Sequence, residues 1–293
     1  MENYNLFTDP ASRLFWGSLL CAFFMGLCLT RGGLRERVKT LLNPRVWLHP
    51  SARVDYLLTL FSLVLKALLA VPFYYGVYGL AALISVCLKM VFGAPSEAAF
   101  SAPVLVLLFG FTAYVFEDFA RYLLHYAQHR IPFLWRFHKV HHSAVVLTPV
   151  TVHRVHPVEM LTARFRSFLV LGVISGVFYY VSLDKLSLWT ILGVDAFGFL
   201  SNFLGSNLRH SHVRWSYGIF ERVLISPSQH QNHHSKGKSG AKNLGSTFSL
   251  WDQLFGTFEY SVKGRKPFRY GLSREHLNHR LTFFGCLLGP FRG

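Results

Sequence analysis

Long apolar runs constrain this chain more than any other feature. Leu14–Thr30, about Tyr56–Phe92, Pro103–Tyr126, Phe168–Leu183 and Leu188–Gly205 are predominantly apolar, although Pro103–Tyr126 carries Glu117 and Asp118. Runs of that length are read as membrane-spanning helices, for which about 20 residues suffice. The Tyr56–Phe92 run is too long for one straight span. Its weak point at Pro72–Gly79 predicts either a hairpin of two helices or one span followed by an interfacial segment. Asp184-Lys185 between the last two runs predicts a tight helical hairpin. The fold expected is all-α: a multi-pass transmembrane bundle of roughly four to six spans under a cytoplasmic, histidine-rich helical metal cap. Three regions follow: an N-terminal transmembrane region 1–102, a central unit 103–262 containing the hairpin, and a basic tail 263–293.

Composition agrees with a lipid environment. Hydrophobic residues make up 52% and charged residues only 15%, against about 25% charged in soluble domains. With 30 Lys and Arg against 14 Asp and Glu, the formal charge is +16. In so apolar a chain this excess reads as positive-inside loops and attraction to anionic headgroups, not as a nucleic-acid surface. Arg31, Arg35, Arg37, Lys39, Arg45 and Arg53 place segment 31–54 in the cytoplasm, whereas 93–101 has no Lys or Arg. Cys21, Cys28, Cys87 and Cys286 lie in apolar stretches without Cys-x-x-Cys spacing, so they read as small buried hydrophobes. The first residues lack a positive n-region and a small-residue cleavage site, so no cleaved signal peptide is expected.

The polar segments after the spans carry the chemistry. Of 15 histidines, 12 fall between positions 125 and 234. His125 and His129 are spaced i, i+4; His138, His141 and His142 form one His-x-x-His-His, and His230, His233 and His234 another. On a helix, positions i, i+3 and i+4 share a face, so each triplet is expected to offer three imidazoles to one side. These eight exceed the roughly six ligands one ion accepts, which argues for two metals. Imidazole suits zinc, copper, iron and nickel alike. His156 and His210 are candidate additional ligands; His153 and His212 stay open, and His49, His276 and His279 read as loop or interface residues. Asp118 shares a helix face with Tyr122, His125 and His129, which predicts a carboxylate accepting the second ring N–H of a liganding histidine. The competing reading of Asp118 is a salt bridge to Arg121 or Arg130. Glu117 points elsewhere on the helix, as an interfacial charge.

Six stretches, DFARYLLHYAQH, LWRFHKVHHS, TPVTVHRVHPVE, RHSHVRWSYG, SPSQHQNHHS and NLGSTFSLWDQLFGTF, resemble in order and spacing the fatty acid hydroxylase / sterol desaturase superfamily over about Asp118–Phe258. The resemblance implies a membrane di-iron oxidoreductase. It would use O2 and two electrons to insert oxygen or a double bond at an unactivated C–H of a fatty acyl, sterol or related lipid. It maps the iron ligands onto His125, His129, His138, His141, His142, His230, His233 and His234, with His156 and His210 as further matches. Zinc is a possible substitute in those positions. Two departures concern detail: the first box lacks the usual Arg after its first histidine and has Leu123, not an aromatic, two residues before it, and His212 stands where relatives often carry Asn. With no fused cytochrome b5 domain in the first 100 residues, a separate electron donor is implied: a cytochrome b5-like protein, a ferredoxin or a reductase. Hydroxylation is the leading expectation and desaturation with the same metals the alternative. The different-class alternative is a membrane metal carrier or sensor without chemistry. Transporters place ligands at the bilayer midplane on broken helices, whereas these boxes follow the spans.

Overall fold

A computed structural model describes residues 14–98, 100–183, 205–236, 241–261, 269–272 and 281–292. Their regular elements are helices, and among them no strand forms beyond two isolated bridges. Helices α1 (Trp16–Leu29), α2 (Leu34–Leu41) and α3 (Pro44–Trp47) precede three long ones: α4 (Pro50–Phe92), α5 (Ala102–Arg130) and α7 (Pro157–Ser182). Those three are long and apolar enough to cross a membrane. Leu68, Val71, Tyr75, Leu83, Met90, Val91 and Phe92 of α4 and Leu107 and Phe111 of α5 are exposed. That surface is stable where lipid replaces water, and it makes this an integral membrane protein. Shorter helices α6 (Pro132–His142), α8 (Pro227–His233), α9 (Leu250–Leu254) and α10 (Phe283–Leu288) build the remainder.

The 56–92 run does not form a hairpin. α4 is one helix of 43 residues with Pro72 inside it, about 65 Å long at 1.5 Å per residue. Proline removes one backbone bond, at roughly 3 kcal/mol. Breaking the helix in lipid would orphan several backbone groups at once, each costing several kcal/mol, so the helix runs through. Of the expected hairpin at 168–205, the first arm lies in α7; the second, 188–204, lies outside the described residues, as do Asp184-Lys185, His276, His279 and Lys263, Arg265 and Lys266 of the basic tail.

α7 packs along both α4 and α5. Toward α4 it presents Gly172 and Gly176; a Cβ on Gly172 would stand 2.6 Å from Leu80 Cδ2, and one on Gly176 2.7 Å from the Ala81 carbonyl. This small-xxx-small spacing lets two backbones close without a hydrophobic driving force. Toward α5, Ile174 joins Leu105, Phe109 and Ala113 in a buried cluster. Arg166 of α7 bonds Glu117 of α5 at 2.7 Å, so Glu117 is a buried interhelical partner and not a surface charge.

The base of α4 holds the cap. Arg154, fully buried, pairs with Asp55 Oδ1 at 2.6 Å and donates to the Val140 carbonyl at 3.0 Å and Ser143 Oγ at 3.0 Å. Thr151 Oγ1 donates to Asp55 Oδ2 at 2.7 Å. A buried ion pair persists only when its remaining donors are satisfied; here they fasten α4, the end of α6 and the 149–156 turn to one another.

Candidate metal centre

Each helix that carries box histidines has a firm start. Pro103, Pro132 and Pro227 occupy first-turn positions of α5, α6 and α8, where a missing N–H costs nothing and φ is pre-set. α8 adds a reciprocal cap: Ser226 Oγ accepts from Gln229 N at 3.1 Å, and Gln229 Oε1 accepts from Ser226 N at 2.9 Å. From the same helix Gln231 Nε2 donates to the carbonyls of Leu208, Ser211 and Val213 at 3.0, 3.1 and 2.7 Å. That clamp fixes the turn that carries His210. α1 and α2 back it through Ala22 and Leu41, which pack on Leu208 and Val213.

Nine imidazoles converge in two groups: His125, His129, His138, His142 and His233 in one, His141, His210, His230 and His234 in the other. Within each group the ligand atoms lie within 4.8 Å of one another. In the first, His125 Nε2 stands 3.1 Å from His138 Nε2 and 3.2 Å from His129 Nε2, and His142 Nε2 is 3.1 Å from His138 Nε2. In the second, His210 Nε2 is 3.0 Å from His230 Nε2 and 3.2 Å from both His141 and His234. The groups share a wall, where the His142 and His234 rings stack at 4.6 Å. All eight box histidines and His210 are thus brought together.

The boxes do not map one-to-one onto the groups. His138 and His142, at i and i+4, point into the first group while His141 of the same helix turns into the second; His233 enters the first while His230 and His234 enter the second. The expected three imidazoles on one side become two and one, because adjacent helical positions lie about 100° apart and the groups sit on two sides of α6 and α8.

Outer contacts set the tautomers. The Nδ1–H of His125 donates to the Leu244 carbonyl at 2.7 Å, that of His233 to Lys242 at 3.0 Å and that of His141 to Arg154 at 3.3 Å. His138 Nδ1 donates to Glu159 Oε1 at 2.7 Å. Burial, reinforced by neighbouring imidazoles, pushes His138, His142, His230, His233 and His234 well below the usual histidine range and His141 to about 3. The His138–Glu159 contact is therefore a hydrogen bond from a neutral ring. Where His125 and His138 both direct their Nδ1 protons outward, their Nε2 lone pairs face one another at 3.1 Å. Such an arrangement is repulsive unless a cation sits among the lone pairs. Two nitrogens each about 2.0–2.1 Å from a shared ion, with roughly a right angle between them, stand about 3 Å apart. The donor set fits two divalent ions that accept imidazole.

Two sequence expectations come out differently. His156 is in neither group: it caps α7, its Nδ1 accepting from Val158 N at 3.1 Å and its Nε2–H donating to the Leu287 carbonyl at 3.0 Å. Both ring nitrogens are occupied, so none is left for a metal. Asp118 meets no histidine, nor does it pair with Arg121 or Arg130. It accepts from Thr247 N at 2.8 Å, Phe248 N at 3.0 Å and Trp251 Nε1 at 3.0 Å, bracing the segment after the Leu244 carbonyl. The carboxylate that reaches a histidine is Glu159, in the first turn of α7; the available signal is its place three residues after His156, in a turn that Pro157 starts. His212 donates from Nε2 to Thr40 O at 2.9 Å, outside both groups, and His49 caps α4.

The fatty acid hydroxylase family model matches residues 110–257, half of the chain. The chain belongs to the fatty acid hydroxylase family. It is similar to an ornithine lipid hydroxylase of Rhizobium tropici, 32% identical over 49% of this chain and 40% of that protein. It also resembles the alkylglycerol monooxygenase of Homo sapiens, 28% identical over 51% of this chain and 30% of that one. A Delta(7)-sterol 5(6)-desaturase of Eremothecium gossypii is 27% identical over 51% of this chain and 44% of its own length. The chain thus spans less than half the length of each of these relatives. No solved structure matches it.

Proposed function

We propose that this chain is an O2-dependent di-iron oxidoreductase that hydroxylates an unactivated C–H bond of a membrane lipid. The observation that carries this reading is the pair of converging imidazole groups whose ring nitrogens stand close enough to share a cation in each. The names of the relatives support the substrate class. The unit that does this is proposed to be 103–262, its metal side cytoplasmic, with electrons arriving from a separate donor such as a cytochrome b5-like protein, a ferredoxin or a reductase.

His125, His129, His138, His142 and His233 would hold one iron and His141, His210, His230 and His234 the other. When bound, the irons supply the activation of O2. Overall, one C–H becomes C–OH and one water forms, consuming O2, two electrons and two protons. The chain's outer contacts turn His125, His138, His141 and His233 inward. The apolar surroundings that disfavour imidazolium also exclude bulk water from the site. The exposed apolar faces of α4, α5 and α7 keep a lipid tail in the same phase as the site.

The test is reconstitution of iron-loaded protein with a competent reductase and a lipid panel, read by mass spectrometry. A gain of one oxygen supports the proposal. Loss of two hydrogens would make the chain a desaturase with the same metals, and an unchanged panel together with metal flux in proteoliposomes would make it a carrier.

A further inference from the structure

Two of the five imidazoles in the first group lean on one short stretch of backbone. His125, from α5, donates to the carbonyl of Leu244, and His233, from α8, to the carbonyl of Lys242. Between those carbonyls stands Asn243 with φ 55°. Side-chain-bearing residues rarely adopt this left-handed conformation, and Asn is among the few that do so at low cost.

This hook is pinned from behind by buried groups. Asn243 N donates to the Thr257 carbonyl at 2.8 Å, and Asn243 Oδ1 accepts from Glu259 N at 2.9 Å. Leu244 N and Gly245 N donate to the two oxygens of Asp252 at 2.7 and 2.8 Å, and Thr257 Oγ1 donates to Asp252 Oδ1 at 2.6 Å. Asn243, Leu244, Asp252 and Thr257 are each 2% exposed or less. In the second group His141 donates to a different carbonyl, that of Arg154.

We propose that Asn243 is a positioning residue for the five-histidine group alone. Its left-handed backbone aims the Lys242 and Leu244 carbonyls so that His233 and His125 hold their protons on Nδ1 and present Nε2 inward. It thereby sets how tightly that group, and not the other, keeps its ion. The inference rests on reading the two groups as metal sites.

The test uses the full chain in detergent, stripped and reloaded with zinc(II), which imidazole accepts. Release into a chromophoric chelator is followed with time. Wild type is expected to hold about two zinc ions and release them in two phases. Asn243→Ala strains the hook; it should accelerate one phase by about ten- to a hundredfold, the range for losing an outer partner of a ligand, and leave the other unchanged. Asn243→Asp keeps both the acceptor and the tolerance for positive φ, and should follow wild type. Asn243→Gly keeps the conformation without the side-chain bond and should accelerate the same single phase by a smaller factor. This variant carries the test if the alanine variant does not fold. Unchanged release in the alanine and glycine variants, or equal acceleration of both phases, overturns the proposal. Wild type binding fewer than two zinc ions would instead remove the two-metal reading itself.

Discussion

The two imidazole groups are built on different regions of the chain. The five-histidine group takes His125 and His129 from α5, one of the long apolar helices, and its outer contacts come from Glu159 in α7 and the carbonyls of Lys242 and Leu244. The four-histidine group takes His210 from a turn held by Gln231, and its carbonyl contact is Arg154, which is locked to the base of α4. α6 and α8 serve both. Each group thus draws on a long helix and on loop hydrogen bonds, but on different ones: α5 and the 242–244 carbonyls for one, the base of α4 and the Gln231-held turn for the other. The difference teaches that two sites sharing two helices can still be disturbed one at a time.

The largest effects come from the ligands themselves. His233 and His234 are neighbours in sequence but belong to different groups. His233→Ala and His234→Ala should each abolish turnover and each leave about one ion per chain, while the double variant should leave none. His141→Ala with His234→Ala strikes one group twice and should keep about one ion. Metal analysis of these pairs decides whether the groups or the sequence boxes are the units of binding; a double 233/234 variant that retains one ion would break the comparison.

The hook behind the five-histidine group also carries a titrating carboxylate. Burial pushes Asp252 from 3.8 up to about 6, against the hydrogen bonds it accepts from Thr257, Gly245 and Leu244. A raised folded-state value means that the group's contribution to stability is fully present below about pH 4 and is lost as pH rises through 6. The loss amounts to about 3 kcal/mol at 1.36 kcal/mol per pH unit. Asp252→Asn removes this dependence while adding a constant deficit, since an NH2 then faces a backbone donor. Thermal unfolding between pH 4 and 7 should show the variant gaining on wild type by about that amount; parallel profiles would refute the assignment.

A smaller, one-sided effect is expected at Glu159. Glu159→Ala leaves the Nδ1–H of His138 without its carboxylate. Loss of such an outer partner typically weakens metal binding ten- to a hundredfold; the five-histidine group, which loses the hydrogen bond, should feel it most, and the four-histidine group only through the charge Glu159 presents to His141. Competition with a graded series of chelators would show one weakened site; two equally weakened sites would mean that the groups are mechanically coupled through the stacked His142 and His234.

Much of this centre is legible in the sequence because imidazoles seldom recur at i, i+3 and i+4 in several segments unless they converge on metal. The partition of each triplet is not legible, since local spacing says which residues share a helix face but not that two sites flank that helix. Asp118 stands out in the sequence because it shares the face of His125 and His129. The segment 245–251, far along the chain, fills that face first and takes the carboxylate with its own N–H groups. The hook at Asn243 is illegible for a related reason: its function lies in backbone carbonyls, which carry no residue identity. The continuity of α4 through Pro72 depends on lipid raising the cost of a broken helix above that of one lost bond.

The smallest effect separates a cap from a ligand at His156. The sequence resemblance offers it as an additional metal ligand, yet both its ring nitrogens are engaged, one by Val158 N and one by the Leu287 carbonyl. His156→Ala should therefore cost about 1 kcal/mol, the usual loss for an N-cap, and leave about two ions bound. His156→Asn can still accept the Val158 N–H and should recover most of that loss. If the alanine variant instead holds one ion fewer at unchanged thermal stability, His156 reaches a metal in the loaded protein, and the five-to-four division of the groups must be redrawn around it.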